Sequence, residues 1–445
     1  MCSSTGKSGQ DDGKPEGLMK NSLIIMQLLY FLLDAILFAP VIVRADDESK
    51  AQWPQHGFDY SARGLSPYAG ATQGKELWRF RTFEWIESIV VGHDGTVYAA
   101  GGGGYLYAIS PAGKEKWRFD WRPDYTDFDK LPEPQQDQWR YGVRVNSTAV
   151  AGDGTVYLGL AAREEMTLPA TRYLVALDPT GRELWRYEVG FMNISSLLLL
   201  GPDGTVYFGA QGENAVDFIA LKPDGKPAWR RHLGEGYVGS AALGDNGVLY
   251  VGGSHLFALS VTDGSNAYPP VEDIDSPMGN YSPAIGADGS VYIASNGNGG
   301  VLRAFSAELK PKWSTKLGFM EMTPAIDGDG TLYVHTWPQP GSPPGMLYAI
   351  NPKDGARKWE LEVTGSDSSP VVDKNGILYF GSDSGHVYAV RTNDGSLLWR
   401  REIGGEFDDR PAIASDGTLY IGHSGGAGAG VLEVDEGFFY VFAFR

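Results

Sequence analysis

The sequence predicts an all-β fold: a single eight-bladed β-propeller of four-stranded antiparallel blades, its last blade closed by an N-terminal strand. Three observations carry this. The motif Asp94-Gly95-Thr96-Val97-Tyr98 returns seven times, at Asp153 to Tyr157, Asp203 to Tyr207, Asn246 to Tyr250, Asp288 to Tyr292, Asp329 to Tyr333, Asn375 to Tyr379 and Asp416 to Tyr420. Successive tyrosines lie 59, 50, 43, 42, 41, 46 and 41 residues apart, a basic period near forty that marks a repeat architecture. Each copy joins an Asp-Gly or Asn-Gly hairpin turn to a β-branched and aromatic run. Finally, Gly74-Lys75-Glu76-Leu77-Trp78 reads as a fourth strand with nothing before it, while the last unit stops after a third strand at Gly437 to Phe444. The orphan strand completes the eighth blade and removes a free edge.

Within each unit four strand-like pieces follow in order. The first precedes the turn: Ser88-Ile89-Val90, Ser147 to Val150, Ser196-Leu197-Leu198, Ser240-Ala241-Ala242, Ser282 to Ile285, Thr323 to Ile326, Ser369 to Val372 and Arg410 to Ile413. The second ends in the repeat Tyr. The third reads like Leu106-Tyr107-Ala108-Ile109 or Val387-Tyr388-Ala389-Val390. The fourth follows a Pro/Gly turn and carries a tryptophan: Trp117, Trp185, Trp229, Trp313, Trp359 and Trp399, with Trp78 on the orphan strand. Unit 4 has Tyr268 there instead and is the degenerate copy. The tryptophan column is read as packing between blades.

Ahead of the repeats, residues 1–18 read as a polar tail with Met19 the true start, and residues 19–45 as a signal peptide. Met19-Lys20 leads into an apolar run from Leu23 to Val43 that ends at Val43-Arg44-Ala45, the order of a secretory signal. The run is long enough to anchor in a membrane, but Asp34 within it would be costly there. A membrane role is therefore expected only if the segment stays uncleaved. Residues 51–445 form the propeller, and the exported chain is placed in the periplasm or outside the cell. The net charge of −18 disfavours nucleic acid and anionic lipid as nonspecific partners. The only cysteine is Cys2, which excludes a disulfide framework or a Cys-based metal site. Gly6-Lys7-Ser8 lacks the upstream glycine, strand and helix of a phosphate loop.

Units such as Ala176-Leu177-Asp178-Pro179-Thr180-Gly181-Arg182-Glu183-Leu184-Trp185 resemble the tryptophan-docking repeat of pyrroloquinoline-quinone (PQQ) dehydrogenases, found also in the outer-membrane-assembly lipoprotein propellers. Trp53-Pro54-Gln55-His56-Gly57 is similar to the usual opening of such chains. The resemblance spans about residues 51 to 445 and implies the fold more strongly than an activity, because the motif is structural. The alcohol-oxidising members stack PQQ on a ring made by two adjacent cysteines, and this chain has no such pair; a carboxylate, an Asn and an Arg at the expected channel mouth would suit PQQ and calcium, but no family motif ties them to those roles. No cofactor is expected. The lipidated Cys after the signal, which the assembly lipoproteins carry, is missing as well.

In such a blade the loops between strands one and two and strands three and four share one face, where every turn here is tight. The expansions fall on the other face: Asp120 to Val145, Leu160 to Arg172, His335 to Met346, Gly422 to Gly437 and, more mildly, Asp263 to Tyr281. Loops on a rigid scaffold carry binding, although tolerated surface insertions look the same in sequence. Two places after the repeat Tyr, seven units have a small residue and unit 6 has His335. Trp337 follows it, and His423 lies one place further along in unit 8. A rule broken once marks a candidate site; the bland alternative is a ring filling space beneath a Pro-rich loop. Polar residues cluster where elaborated-face loops enter the innermost strands: Glu87, Arg144, Asn146, Asn193, Tyr237, Asn280, Glu321, Asp367, Asp408 and Asp409. They are expected to ring the channel mouth, either as a polar ligand site or as solvated loop ends. The sequons at Asn146, Asn193 and Asn280 recur because the repeat recurs.

The sequence favours a binding or scaffolding module that holds a protein or carbohydrate partner on the elaborated face. A polysaccharide lyase or hydrolase using His335, His423 and mouth carboxylates, or a PQQ-dependent dehydrogenase, are the alternatives. On this reading the tight-turn face has little room for a shaped site, and His335, Trp337, Arg144 and Glu321 surround one opening.

Overall fold

The computed structural model describes residues 51–121, 143–162, 172–190, 192–213, 215–272, 274, 282–296, 299–320, 322–337, 345–365, 368–407, 409–423 and 439–445. Within them every regular element is a strand, and eight separate antiparallel sheets form eight blades. Seven blades are built from one repeat unit each. The eighth orders Glu76–Thr82, Phe439–Phe444, Leu419–Gly422 and Ala412–Ile413 from its outer to its inner edge. Trp78 sits opposite Ala443 and Phe80 opposite Val441, so the two ends of the chain close the ring as expected.

The inner strands differ in length for a chemical reason. In units 5 to 8 a proline precedes the strand, at Pro283, Pro324, Pro370 and Pro411. Proline has no N–H to give to a ladder. The inner strands there shrink to two residues: Ala284–Ile285, Ala325–Ile326, Val371–Val372 and Ala412–Ile413. Units 1, 2 and 4 lack that proline and keep inner strands of six, eight and six residues.

The tryptophan column staples each blade to the next. Trp117 Nε1 donates to the Pro179 carbonyl at 2.9 Å, Trp185 to Pro223 at 2.9 Å and Trp313 to Pro352 at 2.8 Å. Each acceptor lies in the neighbouring unit's turn between its third and fourth strands. A glycine of that same turn lies flat on the indole, as Gly181 does on Trp117. The repeat tyrosine of the tryptophan's own blade packs on the ring's other side, with Tyr98–Trp117 centroids 5.8 Å apart. Unit 4 has no tryptophan to donate, yet its sheet is complete. There the repeat tyrosine takes over: Tyr250 donates its hydroxyl to the Ala307 carbonyl of unit 5 at 2.7 Å.

Residues 51–72 form no regular strand. They line the tight-turn end of the central channel and visit the blades in chain order. Val91 and Trp53 exchange two backbone hydrogen bonds, and then Val150, Leu243, Ile285, Ile326 and Val372 donate in turn to the carbonyls of Pro54, Tyr60, Ser61, Arg63 and Gly64. Leu200 donates to the Gln55 side chain, Gly70 to the Asp373 carboxylate, and Trp399 Nε1 to the Ala71 carbonyl. Every backbone donor N–H from units 1 to 7 lies at or beside the end of an inner strand, where the ladder has stopped and the group would otherwise be orphaned.

Candidate ligand-binding site

The channel has two unlike ends. At the tight-turn end, Arg410 reaches from unit 8 into the lining segment and is 1% exposed. Its Nη2 donates to the Thr323 carbonyl at 3.1 Å. A Cβ on Gly57 would stand 2.6 Å from Nη1, so only glycine lets the segment approach this closely. Burial lowers the guanidinium's pKa to about 9, and the Asp59 and Asp409 carboxylates act against that shift.

The expectation that the tight-turn face has little room is overturned. A cavity of ≈ 660 Å³ opens there between residues 58–67 and units 6 and 7, lined by Asp59, Arg63, Asp327, Asp329, Lys358 and Asp373. A second, of ≈ 380 Å³, opens against units 2 and 3 beside Pro54 and Asp153. Both exist because the lining segment makes walls that the turns alone do not. In the first, burial and the neighbouring Asp329 push Asp327 up to about 6, while Asp329 is held well below the usual carboxylate range. Asp327 and Asp373 stand where the other six units have Gly or Ala. Both carboxylates are engaged by their own turns: Asp327 accepts from the Thr331 N–H and the Tyr333 hydroxyl, and Asp373 from the Asn375 and Ile377 N–H groups.

At the elaborated end the candidate residues separate. His335 ends the second strand of unit 6 and is 0% exposed. Its Nε2 hydrogen-bonds the Ser368 carbonyl, and its ring packs on Phe380 with centroids 5.6 Å apart. His423 is 4% exposed between Phe407 and Phe439. Burial lowers its pKa to about 4, so the ring is neutral at neutral pH. No hydrogen bond or ring contact joins the two histidines, and neither presents an edge to solvent in this structure. Glu87 lies on the inner strand of unit 1 and accepts from Trp85 Nε1 at 2.6 Å. Arg144 and Asn146 fall on the inner strand of unit 2. Asn280, Glu321, Asp367 and Asp408 lie outside the described residues.

Trp337 belongs to a different place. Its backbone N–H donates to the Phe319 carbonyl. Its side chain lines a cleft of ≈ 650 Å³ at the junction of units 6 and 7 on the elaborated face, off the channel axis. The other walls come from Leu361, Glu362, Val363, Thr364, Asp383, Tyr388, Leu397 and Arg400. His335 reaches this cleft only indirectly. Phe380, on which it packs, stacks on Tyr388 at 4.9 Å with the rings 6° from parallel. The Tyr388 hydroxyl in turn lies 3.0 Å from Thr364 Oγ1. The sequence singles out Trp337 and His335 but not the cleft, because most of its walls come from residues of two units that lie outside any loop expansion.

A closed ring of eight four-stranded blades, seven of them stapled to the next by a tryptophan, has the architecture of the PQQ-like repeat propellers. Residues 68–171, 170–335 and 343–437 match the family model of the outer membrane protein assembly factor BamB, and the chain belongs to that family. No curated protein matches the chain by sequence. Among solved structures, the quinohemoprotein alcohol dehydrogenase of Comamonas testosteroni is 15% identical, with 91% of this chain and 82% of that one covered and a TM-score of 0.68. The alcohol dehydrogenase ADHIIG of Pseudomonas putida HK5 is 14% identical over 90% and 81%, with a TM-score of 0.67. BamB of Moraxella catarrhalis is 15% identical over 83% and 99%, with a TM-score of 0.59. Identities this low speak for the fold alone.

The adjacent cysteine pair is absent from the sequence, and among the described residues no three His, Cys, Asp or Glu side chains converge to hold an ion. No helix among the described residues is long and apolar enough to cross a membrane.

Proposed function

We propose that this chain is an exported scaffold that binds a protein partner through its elaborated face. The observation that carries the reading is the asymmetry of the ring. Residues 51–72 lie against the inner strands of one end, bonded to successive blades, and the long loops emerge at the other. Family membership supports a protein partner, since the family is described by its part in outer membrane protein assembly. The elaborated rim also exposes large apolar side chains suited to an interface, Phe83 at 67% and Tyr237 at 45%. Arg118 stacks over Phe83 at 5.3 Å, which holds that ring in place without covering it.

The test is site-specific photo-crosslinking in the native envelope. A crosslinking residue at Phe83 or Tyr237 should capture a discrete partner band. The same residue at Lys374 or Asp354 on the tight-turn face should not. Equal capture from both faces, or from neither, would sink the reading. Mass spectrometry of the exported chain tests the leader at the same time, with Asp46 expected as the mature N-terminus.

A further inference from the structure

We propose that the cleft between units 6 and 7 is a binding site for a short, uncharged oligosaccharide. Its volume of ≈ 650 Å³ lies within the usual span of ligand pockets. Its walls combine an indole and aliphatic surface, from Trp337, Leu361, Val363 and Leu397, with Asp383, which has an interaction of its own, and with the exposed pair Glu362 and Arg400. Neither of those charged side chains makes a hydrogen bond or ion pair with another described residue. A carboxylate only accepts hydrogen bonds and a guanidinium only donates them.

That pairing of an unengaged acceptor and an unengaged donor selects the ligand. A sugar hydroxyl both donates and accepts, so a run of hydroxyls uses the two groups together. The C–H faces of a sugar ring lie flat on indole and aliphatic walls. A small anion would be served by Arg400 but repelled by Glu362 and by the chain's net charge of −18. A metal cation would meet Arg400 beside the two carboxylates, and among the described residues no three His, Cys, Asp or Glu side chains converge to hold one. A purely apolar ligand would desolvate both charges and return no partner to either, a heavy cost. The wall is also rigid before any ligand arrives. The His335–Phe380–Tyr388 stack and the Tyr388–Thr364 hydrogen bond fix one side of it, which reduces the ordering cost of binding. His335 is thereby a positioning residue for the cleft, acting through two rings.

The exported chain is titrated with maltotriose, cellotriose and chitotriose by calorimetry and by saturation-transfer NMR. At least one should bind saturably, with Kd on the order of 10 μM to 1 mM. Trp337→Ala should weaken that binding by about tenfold or more, and Arg400→Ala and Glu362→Gln by about threefold each, with unfolding midpoints unmoved. Lys374→Ala, on the opposite face, should leave it unchanged. The proposal is overturned if none of the three sugars saturates by about 10 mM. It is equally overturned if binding survives all three cleft variants unchanged. Protein crosslinks from position 362 without sugar binding would assign the cleft to the protein-binding face. Loss of sugar binding as a result leaves the crosslinking outcome at Phe83 and Tyr237 untouched, so the two readings fail separately.

Discussion

The inter-blade staple can be measured by a matched pair of glycine substitutions in unit 2. Gly181 and Gly190 share nearly the same positive φ, +86° and +87°. A Cβ at Gly190 would meet nothing within 4 Å, whereas one at Gly181 would lie 2.7 Å from Trp117 Cε3. Gly190→Ala therefore reports left-handed backbone strain alone, about 1 kcal/mol. Gly181→Ala carries the same strain and also pushes the indole off its seat. The Trp117 Nε1 bond to Pro179, 2.9 Å long, is then stretched or broken, for about 1 kcal/mol more. Lost contact across the Tyr98–Trp117 pair adds about another 1 kcal/mol. The expected totals are about 1 kcal/mol for Gly190→Ala and about 3 kcal/mol for Gly181→Ala. Urea unfolding followed by tryptophan fluorescence reads both as midpoint shifts at constant slope. Equal shifts would show that the turn's conformation, and not the tryptophan seat, holds the blades together, and the staple argument would fail.

Three further outcomes are expected. Tyr250→Phe should cost about 1 kcal/mol because it removes the hydroxyl bond to Ala307, while Tyr207→Phe should cost less, since Trp229 already bonds the next blade through the Val261 carbonyl. Deleting residues 51–82 removes both the channel lining and the strand beside Phe439–Phe444; the product should aggregate through its free edge, and a monomer with unchanged melting would refute closure. His423 has a folded pKa of about 4, below its ordinary value of 6.5, so the unfolded chain binds more protons between those values. The neutral ring's contribution is present above pH 6.5 and is lost as pH falls toward 4, up to about 3 kcal/mol. The wild-type-minus-His423→Gln stability difference should therefore shrink as pH falls from 6.5 toward 4. Asp327, raised to about 6, acts with the opposite sign in both proteins and cancels in the difference; a difference independent of pH would refute the burial argument.

The blade count, the four strands per blade, the closing role of the Trp78 strand and the use of the tryptophan column were all legible in the sequence. Each depends on local chemistry that recurs along the chain: eight Asp-Gly or Asn-Gly turns that need a positive φ, alternating apolar strands, and a tryptophan at one register in seven units. Even the degenerate fourth unit was visible, although the substitution of Tyr250 for the missing indole donor was not, because Tyr250 looks like every other repeat tyrosine. Much else required the tertiary structure. The path of residues 51–72 around the channel is held largely by backbone hydrogen bonds, which leave almost no mark on side-chain choice. It alone creates the cavities beside Asp327 and Pro54, and it explains why Gly57 faces a buried Arg410. His335 was recognised as a broken rule, but whether it met solvent or Phe380 depended on a neighbour 45 residues away. The cleft at Trp337 joins residues of two blades that no period places together. Repetition exposes what each unit does for itself; what lies between units is decided by how they pack.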